Sequence, residues 1–357
     1  MKVLQVGDIA GVGFKLNTAL NARQGIEAHI LVCAGGDRFY PGQEADTVRQ
    51  IPCRSRLSNL RLYKSLLGAR REYDVYHGHS LMAPMLLASC RPFVAHFHGS
   101  DIRQVAGSQT PMGMALRRAM RSAGHVIHST VELGPMIQAL GVDEDRLSWL
   151  PNPIDTVRFT PGRCEVDLRQ GSEFVVFLPQ PLVEVRRSHL LFEAFCRVAT
   201  RRPEIRLSWI AHPGTIARNH QMQDLLEKAG VAHQATRLDP IPPVAMVDHY
   251  RAADAVADWF NADLPAISQT AMEAMACERP VIMSLPADPS DYLNSSGALP
   301  GNSSELIEAS LERLVDDPPL RVQMGRTHRE WVCNHHDMTR VGQQLAAIYE
   351  SLKETSH

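Results

Sequence analysis

No apolar run in this 357-residue sequence approaches the roughly 18 residues that a membrane-crossing helix needs. The opening residues, MKVLQVGDIAGVGF, hold one lysine and a short apolar stretch broken by Gly7 and Asp8, so they do not read as a secretory leader. These two absences predict a cytoplasmic protein, and the basic first half adds the expectation of a peripheral contact at the inner membrane face. Cysteine is sparse. Cys33, Cys53, Cys90, Cys164, Cys196, Cys277 and Cys333 are odd in number, widely spaced and free of any CxxC pair. That pattern argues against a disulfide framework and predicts reduced thiols. Low-complexity tracts are missing, apart from the last few residues, Lys353 to His357. The basic stretches lack interleaved aromatics and the net charge is −2, which argues against a nucleic-acid partner.

What is present is ordinary globular material. The hydrophobic fraction is 44% and the charged fraction 21%, and the length suits two domains rather than one core. Charge is unevenly shared. Residues 1–155 hold 17 Lys and Arg against 13 Asp and Glu, and the remainder 20 against 26. Arg54, Arg56, Arg61, Lys64, Arg70 and Arg71 form one basic stretch, and Arg117, Arg118 and Arg121 another. Solvated helix faces are the plain reading, and attraction to an anionic acceptor or membrane surface the sharper one.

The chain then punctuates itself. KVLQV is a short apolar run, followed by Gly7-Asp8, by Gly11-Val12-Gly13 and by a helical pattern through Leu16 and Leu20. HILVCA is the next buried strand. This is a βαβ unit. Apolar runs at DVYHGH, FVAHFHG, GHVIHST and SWLPNP repeat the theme. The Pro- and Gly-rich stretch from Pro151 to Ser172 reads as a linker. A second alternation begins at EFVVFLP and ends at RPVIMS. The division predicted is 1–155, a linker at 156–172, a second domain at 173–338, and a final helix at 339–357 that could pack on the first domain. Short strands alternating with helices imply doubly wound parallel sheets.

Four motifs carry a resemblance. DVYHGH at Asp74–His79, HFHGSD at His96–Asp101, LPNPIDTVRF at Leu150–Phe159 and MEAMACERPVI at Met272–Ile282 occur in the order seen in glycosyltransferase family 4. The sequence resembles that family along nearly its whole length. The resemblance implies an α/β GT-B fold, in which two Rossmann-like doubly wound domains face a central cleft. It implies a retaining sugar transferase that takes a nucleotide-diphosphate sugar as co-substrate, with no cofactor and no metal. The acceptor, whether glycan, lipid or small metabolite, is not named by any motif. A degenerate nucleotide-binding or partner protein of this fold is one alternative, and a nucleotide-sugar epimerase or phosphorylase another.

The resemblance also assigns residues. Glu273 takes the ribose position. The family's first Glu falls on Pro265, which leaves Asp263 as the nearest acid for the sugar. The diphosphate-binding Arg falls on Pro181 and the Lys on Arg186, with Arg187 beside it. His98 takes the place next to the donor sugar. On chemistry alone, Gly11 and Gly13 open a helix whose amides suit an anion. Ser268, Gln269 and Thr270 do so before the helix of Glu273, where they would steady a leaving phosphate. The catalytic pair is thus His98 and Arg186, the donor set adds these residues, and His79 and Asp101 are placed on the acceptor side.

Overall fold

The computed structural model describes residues 1–34, 45–52, 58–69, 71–89, 92–263, 266–286 and 290–354. Pro265, Cys53, Cys90, Arg54, Arg56 and Arg70 lie outside the described residues. The chain divides into two compact units, Met1–Pro153 with His335–His357, and Ile154–Asn334.

In the first unit the strands are β1 (Lys2–Val6), β2 (Glu27–Ala34), β3 (Val48–Pro52), β4 (Val75–His79), β5 (Phe93–Phe97), β6 (His125–His128) and β7 (Leu147–Trp149). All neighbours run parallel, in the order β3-β2-β1-β4-β5-β6-β7. In the second unit β8 (Phe174–Leu178), β9 (Ile205–Ile210), β10 (Ala235–Leu238), β11 (Ala255–Ala257), β12 (Val281–Met283) and β13 (Leu299–Pro300) repeat the plan as β10-β9-β8-β11-β12-β13. In each sheet the order reverses between the first and fourth strands, β1 and β4 or β8 and β11. Ligands of open α/β sheets bind outside the carboxyl ends of strands at such a point.

The alternation of side chains explains why helices cover both faces. In β1, Val3 and Leu4 feed different apolar clusters, as do Val75 and Tyr76 in β4 and Val94 and Ala95 in β5. Each strand is therefore apolar on both sides and needs two helical layers. The Leu4 face is covered by α2 (Ser58–Ala69), α3 (Pro111–Ser122) and α4 (Leu133–Ala139). The Val3 face is covered by α1 (Val12–Asn21) and by the last helix. In the second unit α5 (His189–Arg201), α6 (Ile216–Lys228) and α10 (Ser304–Asp316) share one cluster with Phe174, Val176 and Leu178. The opposite face, through Val175 and Phe177, meets α7 (Met246–Ala252), α8 (Gln269–Ala276), α9 (Asp291–Ser295) and α11 (Pro318–His336).

The last helix, α12 (Met338–Glu354), packs Val341, Leu345 and Tyr349 against Val12, Leu16 and Leu20 of α1 and against the sheet. Gly342 makes this approach possible, since a Cβ there would stand 2.6 Å from the Cβ of Ala19. The chain leaves the first unit after Pro153 and re-enters it at His335, within α11.

Cys164, Cys196, Cys277 and Cys333 are free thiols. The expectation of uniformly reduced cysteines is corrected at Cys33, which is disulfide-bonded. Linear spacing does not show which thiols meet in space. Among the described residues, no helix is long and apolar enough to cross a membrane. In the second basic stretch, Arg117 donates to the Ser108 carbonyl at 2.7 Å and Arg121 to that of Leu140 at 3.1 Å, so both also brace loops.

Candidate active site

At the β1/β4 switch the backbone is tightly bent. Gly7 has a φ of 85°, and a Cβ there would meet Met82 Cγ at 2.7 Å. Ser80, just past β4, holds a φ of 51° despite its side chain, a strained conformation of the sort that gathers at functional sites. Gly11 (φ 79°) caps α1. The amides of Gly11 and Phe14 donate to the Asp8 carboxylate at 2.8 and 3.3 Å. The negative charge favoured at a helix N-terminus is thus supplied here by Asp8. Gly13 packs closely, with the Asp8 carboxylate and Ile30 both 3.0 Å from where a Cβ would lie. A cavity of about 340 Å³ opens beside these residues, and His79, Ser80 and Asp101 are part of its wall. Asp101 accepts the backbone N–H groups of His98, Gly99 and Ile102 at 3.0, 2.8 and 2.9 Å.

Four histidines line one face of β4 and β5. His77 and His79 are two apart on β4, and the β4/β5 register sets His96 opposite His79. The rings of His77 and His79 stack at 4.4 Å, and those of His96 and His98 lie 4.3 Å apart. His77 Nδ1 meets the Tyr349 hydroxyl at 2.6 Å and its Nε2 meets His96 Nδ1 at 3.1 Å. His79 joins Gln5 at 3.0 Å and His98 Nε2 at 3.1 Å, and His98 Nδ1 meets Ser129 Oγ at 2.9 Å. Burial pushes all four below the ordinary imidazole range, His77 to about 3 and His98 to about 4; the charge of Asp101 opposes the shift at His98. They are neutral near pH 7. His77, His79 and His96 offer nitrogens within 4.8 Å of one another. Hydrogen bonds already engage both nitrogens of His77 and of His79, while His96 Nε2 is buried without a partner.

At the β8/β11 switch of the second unit a different network forms. Gln180 follows β8 and Asp258 follows β11. Gln180 Nε2 donates to Asp258 at 2.8 Å and to Ser268 Oγ at 2.9 Å, and also reaches Thr270 Oγ1. Its carbonyl oxygen accepts from the Arg186 guanidinium. Ser268 Oγ donates to Asp258 at 2.7 Å and, as the cap of α8, accepts the Ala271 N–H at 3.1 Å. Arg186 also lies 5.7 Å from the centre of the Trp259 ring. Burial pushes the Asp258 carboxyl up, opposed by its bonds from Ser268 and Gln180 and by the Arg186 charge. Burial lowers Arg186, opposed by Asp258. Fixed dipoles, a cation and a helix N-terminus thereby converge at one strand end, an arrangement suited to an anion.

The remaining predicted residues fall as follows. Glu273 sits in α8, where its carboxylate accepts from the hydroxyl of the buried Tyr250 at 3.3 Å. Gln269 is the first residue of α8 and is half-buried. Arg187 adopts a left-handed backbone (φ 51°). It faces Asp263 at 3.7 Å, with both side chains well exposed, so the pair contributes little to stability. Ser268, Thr270 and Arg186 are brought together through Gln180; Arg187 and Asp263 form a separate exposed pair.

Sequence comparison agrees with this geometry. The family model described as Glycosyltransferase Family 4 matches residues 17–158, and that described as Glycosyl transferases group 1 matches residues 165–331. The chain belongs to glycosyltransferase family 4.

This family 4 chain is 28% identical over 214 residues to the D-inositol 3-phosphate glycosyltransferase of Segniliparus rotundus, covering 56% of this chain and 46% of that protein. It is 26% identical over 242 residues to the protein of the same name from Corynebacterium diphtheriae, covering 63% and 55%. The chain thus spans about half the length of these curated relatives. Its fold is that of Anabaena HepE, solved in complex with UDP, with a TM-score of 0.77 at 17% identity over 98% of this chain and 100% of that one. Sucrose-phosphate synthase from Thermosynechococcus elongatus superposes with a TM-score of 0.72 at 14% identity over 99% and 100%. Both units of the family 4 chain have the doubly wound form expected of GT-B proteins.

Sequence reasoning missed Gln180, Asp258, Tyr250 and Trp259 in this family 4 chain. One signal was available. In AVADWF, Asp258 directly follows a wholly apolar strand, and a carboxylate placed there needs a partner. Gln180 carries no such mark, because an amide in a Pro-rich turn looks like ordinary loop.

Proposed function

We propose that this protein transfers a sugar from a nucleotide-diphosphate donor to an acceptor hydroxyl with retention of configuration. The carrying observation is the convergence of Arg186, Ser268 and Thr270, through Gln180, on the β8/β11 switch. The donor diphosphate binds there in this reading, and Glu273 anchors the ribose. Arg186 and the amides at the start of α8 offset the charge that grows on the leaving phosphate. With a guanidinium and a helix N-terminus in that role, no divalent ion is assigned to the reaction. The bond from the anomeric carbon to the phosphate oxygen breaks, the bond to the acceptor oxygen forms, and the acceptor proton passes to the departing diphosphate. His98 keeps the sugar-orienting role that the family resemblance gives it. Asp263 keeps the sugar-reading role that the family resemblance leaves to it. HepE, which shares the fold, was solved with UDP, so uridine donors come first in any trial.

The test is release of nucleoside diphosphate from a panel of sugar nucleotides. Arg186→Ala should cut turnover on the order of a hundredfold while Arg187→Ala keeps most of it, as expected for loss of one charge stabiliser. The opposite ranking would move the diphosphate to Arg187. Pro181, at the position of the family's second cation, favours a second reading in which the chain binds a nucleotide without transfer. Tight nucleotide binding with no product from any donor would establish it.

A further inference from the structure

The described parts of the two basic stretches come together on one face of the first unit. Helices α2 and α3 both pack on the Leu4 side of the sheet, and the 3-10 segment Ser80–Ala88 lies against both. α2 buries Leu62, Leu66 and Ala69 and exposes Arg61, Tyr63, Lys64 and Leu67. α3 buries Leu116, Ala119 and Met120. Met114, Arg118 and Arg121, spaced i, i+4 and i+7, share its outer side and are exposed. Leu81 of the 3-10 segment is exposed too. The charged residues of these three elements are Arg61, Lys64, Arg117, Arg118 and Arg121, all cations.

The arginines of α3 are held in place. With Met114 and Ser122 they line a shallow hollow of about 400 Å³. Arg117 Nη1 donates to the carbonyl of Ser108 at 2.7 Å and to that of Ala106. Arg121 Nε and Nη2 donate to the Leu140 carbonyl at 3.3 and 3.1 Å. These bonds fix each guanidinium through part of its five-donor fork, a group matched to phosphate oxygens. A free phosphate would engage the guanidiniums alone. The apolar side chains among them, with Met112 43% and Met114 51% exposed, match a surface that is anionic outside and apolar just below. At a bilayer, Arg and Lys reach the headgroups while Met, Leu and Tyr enter the boundary beneath.

We propose that this face docks the protein reversibly on an anionic phospholipid bilayer. Arg117, Arg118 and Arg121 meet lipid phosphates, and Met112, Met114 and the apolar residues of α2 sit at the headgroup boundary. The inference stands independently of the transfer reading.

The full chain is floated with vesicles of mixed phosphatidylglycerol and phosphatidylcholine, floated with phosphatidylcholine vesicles, and titrated with poly(U) RNA. It partitions to the mixed vesicles and is released as added salt screens the surface. Arg118→Glu lowers this partition on the order of thirtyfold, about fivefold for each of the two charges changed. Met112→Ser combined with Met114→Ser lowers it about tenfold, the scale of two partly buried thioether chains. Arg340→Glu makes the same change of net charge at an exposed position of α12, on the opposite face of the sheet. It leaves partition within about twofold, because the surface field fades within about 10 Å. All these side chains are exposed, so melting temperature and UDP affinity stay at wild-type values. No partition, equal partition to both vesicle types, wild-type partition in both the Arg118 and the methionine variants, or an equal loss in Arg340→Glu overturns the proposal. Binding of poly(U) in place of the mixed vesicles overturns it as well.

Discussion

Asp258→Asn is the perturbation that tests the second unit's network most directly. The carboxylate is 1% exposed. It accepts from Gln180 Nε2 at 2.8 Å, Ser268 Oγ at 2.7 Å and Ser268 N at 3.3 Å. The amide is the same size but carries no charge and turns one acceptor into a donor, which then faces donors. A hydrogen bond to a charged group contributes about 1.5–3 kcal/mol and a neutral one about 0.5–1.5. Weakening three such bonds costs about 3 kcal/mol. The loss of Arg186's counter-charge adds to this, which brings the total toward the range of about 3–5 kcal/mol for broken buried pairs. For a unit of this size each kcal/mol lowers the melting temperature by about 2–4 °C, so 3 kcal/mol lowers it by about 6–12 °C. Differential scanning calorimetry reads the shift, and UDP titration on the folded variant reads its effect on binding. Because Gln180 links Asp258 to Arg186, Ser268 and Thr270, UDP affinity should fall by about tenfold or more. A variant with wild-type melting and wild-type UDP affinity would refute the idea that Asp258 organises the site.

Glu273→Ala should weaken UDP binding by roughly tenfold in calorimetry, the scale of one or two charge-assisted bonds; an unchanged Kd in a folded variant removes Glu273 from the ribose. Gly342→Ala gains about 1 kcal/mol of helix propensity. It also drives a methyl to 2.6 Å from Ala19 on a facing helix, and overpacking of about 1–3 kcal/mol outweighs the gain, so the melting temperature should fall rather than rise. Acid should destabilise the chain. His77 and His336, buried neutral with pKa values lowered to about 3 and about 4, bind protons in the unfolded state from about pH 6.5 downward. Stability is therefore full above pH 6.5 and falls toward those lower values, by about 1.4 kcal/mol per pH unit for each such group. Urea midpoints at pH 7 and pH 5 measure this, and a midpoint that rises on acidification would contradict the assignment of neutral buried rings.

Much of the frame was legible. The alternation of short apolar runs with amphipathic helices is a local, periodic signal, and it marked the two doubly wound sheets. MEAMACERPVI placed Glu273 on a helix, and Ser268, Gln269 and Thr270 at its start, because a helix start has chemistry that survives in linear order. Arg186 was legible only through the resemblance, as one cation in a turn. The four-histidine face was half legible. DVYHGH and HFHGSD put the histidines at strand ends, but their union needs the β4/β5 register, which sets His79 opposite His96. The disulfide at Cys33 was misjudged for the same reason.

Sequence alone therefore determined the fold class, the family and the residues at helix starts and strand tips, because these depend on short-range periodicity and on chemistry within a few residues. Tertiary structure decided which strand tips are neighbours. It alone joined Gln180 to Asp258 across 78 residues and set Tyr349 against His77 across 272. It also closed a largely apolar cavity from β2, α2 and the turns after β1, β4 and β5. The physical reason is that a parallel sheet orders its strands by crossover connections. Groups far apart in sequence meet only once the helical layers have covered both faces.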